Sequence, residues 1–173
     1  MTARVIDLRR AFDLGFAAAL PPPAPAQRDF LWIRITGEPA AVPLCDVASL
    51  HADLPITALP TRAPELLGVA AIRAAIVPIY DLGAAVGGVA SAAPRWAVLM
   101  SGRPAGFAFD GFDGHARAGD AAIASPAPAT GEPERGFVRG RITLGGMPRP
   151  IIDLSAVLTA IESRWQSAGH RKG

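Results

Sequence analysis

Cysteine is nearly absent: Cys45 is the single one in 173 residues, so no intramolecular disulfide framework exists, as suits a reducing compartment. Cys45 falls in an apolar run, where the residue reads as a small core side chain and not a reactive thiol. Charge is also sparse, at 18% of residues with a net charge of +2, and the basic residues are scattered. No basic stripe of the kind nucleic acid demands is present. No apolar run approaches the ~20 residues of a membrane-spanning helix. Asp7 and Asp13 interrupt the stretch where an export signal would need an unbroken apolar region, so the expected location is the cytoplasm.

Catalytic signatures are missing as well. The chain has no G-x-x-x-x-G-K-[ST], G-x-G-x-x-G or G-x-S-x-G. Gly83–Gly88 and Gly145-Gly146 look like phosphate loops but lack a following lysine or a helix to open. His51, His115 and His170 stand in dissimilar contexts, none with a partner at metal-ligand spacing, so neither metal nor cofactor is expected. Asp110, Asp113 and His115 form the one acidic–imidazole cluster, the basis of a distant reading as a small β-barrel enzyme. General acid–base work needs rigidly held groups, and this cluster opens a low-complexity stretch, Asp113 to Gly136, expected to be mobile. The residues point to surfaces, not to a reaction.

What the chain has in quantity is apolar residues, 50%, together with 18 glycines and 17 prolines. That mixture supports a core while opposing long helices and favouring many turns. The organising stretch is Gly68–Leu82. Ile76-Val77-Pro78-Ile79-Tyr80 reads as a buried strand, Val69–Ile72 as a shorter one, and Arg73 marks the turn between them. The pattern returns. Pro78-Ile79-Tyr80-Asp81-Leu82 recurs as Pro150-Ile151-Ile152-Asp153-Leu154, 72 positions later, and Gly68 recurs as Gly140 at the same offset. Gly37-Glu38-Pro39-Ala40 recurs as Gly102-Arg103-Pro104-Ala105, 65 positions later. Strands precede and follow each copy, Phe30–Ile35 and Val42–Val47 in the first, Trp96–Met100 and Phe107–Phe112 in the second. Collinear matches predict an internal duplication, with halves 30–86 and 95–158.

Residues 1–20 differ from the rest. Val5, Leu8, Phe12, Phe16 and Ala19 recur at spacings of three and four, which predicts an amphipathic helix. Residues 21–28 follow as a proline-rich linker, stiff and extended, so the helix either lies on its own domain or is held out for a partner. The main domain covers 29–166. Near its end Val157, Leu158, Ile161 and Trp165 predict a short helix over Ser155–Trp165, and 167–173 read as a tail.

Gly68-Val69, Ile72-Arg73, Ile76-Val77-Pro78-Ile79 and Asp81-Leu82 together resemble the signature of the CheW-like domain, the coupling module of bacterial chemotaxis. Gly136-Phe137-Val138-Arg139-Gly140 and Pro150–Leu154 are similar to that family's C-terminal pattern. The resemblance runs from about Phe30 to about Leu158. It implies an all-β fold of two small SH3-like β-barrels, about five strands each, over a shared apolar seam. It also implies a non-enzymatic, cofactor-free adaptor in signal transduction. The expected partners are a CheA-type histidine kinase and the cytoplasmic tips of chemoreceptors, in arrays at the inner face of the membrane without insertion into it. An accessory member that binds a kinase or polar landmark without receptor coupling is the alternative. The partner-binding residues implied are Arg73, Ile72, Val47, Ser49 and Gly68. Three positions depart from the family pattern: Ala71 stands for its usual asparagine, Ala74 for its glycine, and Ser49 for a common acid.

Overall fold

Alternating runs and tight turns produce eleven strands in the computed structural model, which describes residues 27–61, 63–125 and 136–169. β1 (Gln27–Ile35) and β2 (Glu38–Pro43) form a hairpin, and a single 3-10 turn, Leu44–Asp46, leads to β3 (Val47–Ala52). β4 (Leu66–Ile72) and β5 (Ala75–Asp81) make a second hairpin, closed by the one-turn helix α1 (Leu82–Ala85). The second half supplies β6 (Trp96–Met100), β7 (Gly106–Phe109), β8 (Gly111–Gly119), β9 (Ile123–Ala124), β10 (Val138–Leu144) and β11 (Met147–Ile152). Helix α2 (Leu154–Gly169) ends the described chain. The helix expected over 1–20 and the linker through Ala26 lie outside the described residues; β1 already begins at Gln27.

The two sheets share a common strand order, but neither is built from one half alone. The six-stranded sheet runs β8-β1-β2-β11-β10-β9 and the five-stranded sheet β3-β6-β7-β5-β4. Numbered within its own half, the five-stranded sheet reads third, first, second, fifth, fourth; the six-stranded sheet reads third, first, second, sixth, fifth, fourth, the short β9 being the extra strand. Each half thus lends its first hairpin to the other half's sheet. The parallel contacts that join the pieces are matched too, Ile79 with Gly106 and Ile151 with Ala41. A linear division at residues 86–95 therefore cuts through both sheets, because strand pairing depends on register and twist and not on chain order.

Each sheet encloses a small core and the two share a larger one. Ile79 packs with Ala70, Val77, Ala97 and Ala108; Ile151 packs with Phe30, Ala41, Ala118 and Ile142. Between the sheets, Ile33, Val42, Val98, Phe107 and Phe109 meet Leu154, Val157, Leu158 and Ile161 of α2. This is the shared seam, and α2 lies against it by the stripe its spacing predicted. Trp165, also on that stripe, reaches Tyr80 with ring centroids 5.9 Å apart.

Two expectations fail here. The stretch from Asp113 was expected to be a mobile loop, yet Gly111–Gly119 is β8, paired along β1. Phe112 packs against Trp96 at its start, but beyond it the large side chains are polar and exposed while small residues such as buried Ala118 face in, so the period of two carries almost no hydrophobic signal there. The ladder to β1 holds the strand, and exposed ion pairs flank it. Asp113 accepts from Arg34, and Asp29 accepts from Arg117 at 2.8 Å and meets His115 at 3.0 Å. The Arg117 hydrogen bond outweighs desolvation and, with a lesser contribution from His115, holds the Asp29 carboxyl below its ordinary range. The second failure is Cys45, which is exposed in the 3-10 turn and not in a strand core. Pro43 ends β2 just before it, since proline lacks the donor to continue a ladder.

Candidate functional site: an interaction surface

The β4–β5 hairpin is the part of the fold with the least conventional surface. Its register skips one residue between Leu66 and Gly68, and it closes on a two-residue turn between Ile72 and Ala75. Both turn residues are left-handed, Arg73 at φ 46° and Ala74 at φ 65°. This is the primed turn that matches strand twist, and glycine or asparagine is its usual occupant. The equivalent turn in the second half uses Gly145 and Gly146 at φ 66° and 84°. An L-residue in this region costs about 1–2 kcal/mol, so the first turn holds strain that the second does not.

The two hairpins also differ on their outer faces. Val77 and Ile79 turn inward, which leaves the cross-strand pairs Val69/Pro78 and Ala71/Ile76 outward. Ile76 is 74% exposed. The matching pairs in the second half are Arg141/Pro150 and Thr143/Pro148, a more polar ladder, with Leu144 and Met147 exposed beside its turn. Reading Ile76–Tyr80 as a uniformly buried strand was therefore wrong at Ile76. The alternation Ile76/Pro78 against Val77/Ile79 was the available signal, hidden because every residue in the run is apolar. Arg73 is exposed at the tip, and among the described residues no acid pairs with it.

The residues implied as partner-binding separate into two places. Arg73 and Ile72 stand at the β4–β5 tip, with Ile72 half-buried against the small core. Gly68 is buried beneath the backbone of Thr57 and shapes the strand without offering a side chain. Val47 and Ser49 lie on β3, the opposite edge of the same sheet, with β6, β7 and β5 between. Val47 pairs with Met100 and packs on the shared core, while Ser49 Oγ lies 2.8 Å from His51 Nε2.

The rest of the polar chemistry is structural. Asp110 accepts from the Gly37 amide, Asp113 pairs with Arg34 and Arg149, and His115 with Asp29, so the acidic–imidazole cluster is dispersed among four separate partners. Arg139 binds Asp153 at 2.6 Å and Asp46 at 3.1 Å. Partial burial and then the Asp46 charge push the Cys45 thiol up, the wrong direction for a nucleophile. Among the described residues no group of three His, Cys, Asp or Glu side chains could hold a metal. No helix among them is long and apolar enough to cross a membrane.

Comparison with known proteins agrees with this picture. The crystal structure of the scaffolding protein TtCheW from Thermoanaerobacter tengcongensis superposes with a TM-score of 0.66 at 21% identity, covering 76% of this chain and 90% of that one. At that identity the match establishes the fold. No curated protein sequence matches. The family model for the CheW-like domain matches residues 29–162, which takes in both sheets and most of α2. By that match, which spans most of its length, the chain belongs to the CheW-like domain family, a family of chemotaxis scaffolds and not of enzymes.

Proposed function

We propose that this chain couples a CheA-type histidine kinase to the cytoplasmic tips of chemoreceptors. The observation that carries this reading is the outer face of β4–β5: exposed Ala71 and Ile76 and half-buried Val69 and Pro78 form an apolar ladder, crowned by Arg73, which pairs with no acid among the described residues; the matching ladder of the second half carries Arg141 and Thr143 instead of Val69 and Ala71. An apolar strip with one cation suits a helical partner that presents an apolar stripe and an acid. An adaptor also needs two separable surfaces. The β3 edge, with Val47 and Ser49, supplies the second, three strands away, and is assigned to the kinase. The protein would then work in the cytoplasm, recruited to receptor arrays at the inner face of the membrane.

The test uses purified receptor tips and kinase. Arg73→Glu and Ile76→Asp should each weaken receptor association tenfold or more, about 1.4 kcal/mol, while the melting temperature stays unchanged. Ser49→Arg should weaken kinase capture and leave the receptor alone. Receptor binding that survives both hairpin substitutions would overturn the coupling role and favour an accessory that binds a kinase or polar landmark only.

A further inference from the structure

A groove of about 530 Å³ opens where β1 begins, on the sheet that does not carry the β4–β5 hairpin. Phe30, Ile151 and Pro43 line it as buried apolar residues, with Leu44 and Ile123 partly exposed beside them. Cys45, Arg139 and the polar start of β1, Gln27, Arg28 and Asp29, complete the lining, with Arg28 paired to Asp120 and Asp29 to Arg117. Arg139 is already committed to Asp153 and Asp46, so the charged part of the groove is self-satisfied and what remains open is apolar.

The 26 residues before Gln27 join the described chain at this groove, because Gln27 and Arg28 are themselves part of its lining. Their apolar residues, Val5, Leu8, Phe12, Phe16 and Ala19, fall on one face at helical spacing. Length then selects which of them returns to the groove. The six residues Pro21–Ala26, extended at ~3.1 Å each, reach about 19 Å from Gln27. A helix running back from Leu20 at ~1.5 Å per residue covers about 18 Å in the twelve residues to Leu8. With the spacer extended and the segment helical, the outward and return legs would be equal at Leu8, with Val5 and Phe12 about one turn to either side.

We propose that residues 1–20 dock in cis as a helix in this groove, with Leu8 at its centre and Val5 and Phe12 flanking it. A short tether sets an effective concentration in the millimolar range, so the chain's own segment outcompetes any weak partner for the same apolar surface. The proline spacer then sets which turn of the helix arrives. The β4–β5 surface lies on the other sheet, while Leu44 and Cys45 of the groove lead directly into β3.

Cys45 makes the proposal testable in the full-length chain, since it is the only cysteine and lines the groove. Its reaction rate with a thiol reagent at fixed pH reports whether the groove is covered. The double substitution Leu8→Asp, Phe12→Asp should raise that rate about tenfold or more, with the melting temperature of the β-sheet body unchanged. Arg10→Ala, off the apolar face, should leave it as in the native chain. Equal rates in the native chain and the double variant overturn the proposal and leave the segment to a partner. Protection that fades on dilution also overturns it, because the occupant would then be a second copy. Protection independent of concentration and lost only with the apolar face is the expected result.

Discussion

Gly68 and Gly140 hold equivalent positions in the two sheets, 72 residues apart in the chain. Each pairs across its hairpin with an isoleucine, Ile79 or Ile151, just after a one-residue skip in register. Each lies under the carbonyl of an incoming segment, Thr57 over Gly68 and Ala124 over Gly140. The incoming segment pairs with the next residue of the strand, Thr57 with Val69 and Ala124 with Arg141. Glycine recurs because a Cβ would occupy the space of a backbone oxygen.

Alanine at either position should therefore destabilise the fold. At Gly140 a Cβ would stand 2.5 Å from the Ala124 oxygen, and the strand must shift, at about 1–3 kcal/mol. Gly68 adds a φ of +149°, so Gly68→Ala should cost more, about 2–4 kcal/mol. Urea denaturation of the two variants checks both the loss and its order.

Ala74→Gly should stabilise the protein. It relieves an alanine at φ 65°, and the gain of about 1–2 kcal/mol exceeds glycine's extra unfolded-state entropy of about 0.5–1 kcal/mol. The expected net gain is about 0.5–1 kcal/mol, a rise of a few degrees in melting temperature. A fall would show that the turn is not held at positive φ in solution.

Asp81 and Asp153 are the second matched pair, and both cap a helix, through the amides of Ala84 and Ala156. Asp81 is fully buried and also accepts from the Ser91 amide at 2.9 Å. Asp81→Ala leaves two amides unpaired away from water and should cost about 2–4 kcal/mol. Asp153→Ala, at a more open site, should cost about 1–2 kcal/mol. Equal losses would mean that water reaches the Asp81 pocket.

Acid should destabilise the protein through Asp153. Partial burial pushes its carboxyl up, but the Arg139 hydrogen bond and the amides of Ala156 and Ser155 outweigh it, and the net shift is below the ordinary value of 3.8. The folded state then binds this proton more weakly than the unfolded chain. Its contribution is complete above the ordinary carboxylate range and is lost as pH falls below about 4. Arg139→Gln should lower stability at pH 7, and the gap to the native protein should close below pH 4. A gap that persists in acid would mean that Arg139 acts by packing and not by charge.

The duplication, the main strands, the turn at Arg73 and the stripe of α2 were legible in the sequence. Each depends on local patterns: spacing of apolar residues, glycine at tight places, proline at strand ends. The exchange of hairpins between halves was not legible, because collinear repeats are the same whether a hairpin pairs within its half or across to the other. Strand β8 escaped notice since Gly114, Ala116 and Ala118 carry no hydrophobic signal and its partners, the β1 ladder with Asp29 and Arg34, are far away in the chain. The exposed face of Ile76 was hidden in an apolar run for the same reason. Sequence alone determined which residues prefer strands, turns and the helix; tertiary structure decided which face of each strand met water, since burial depends on the neighbours that pairing brings and not on the residue itself.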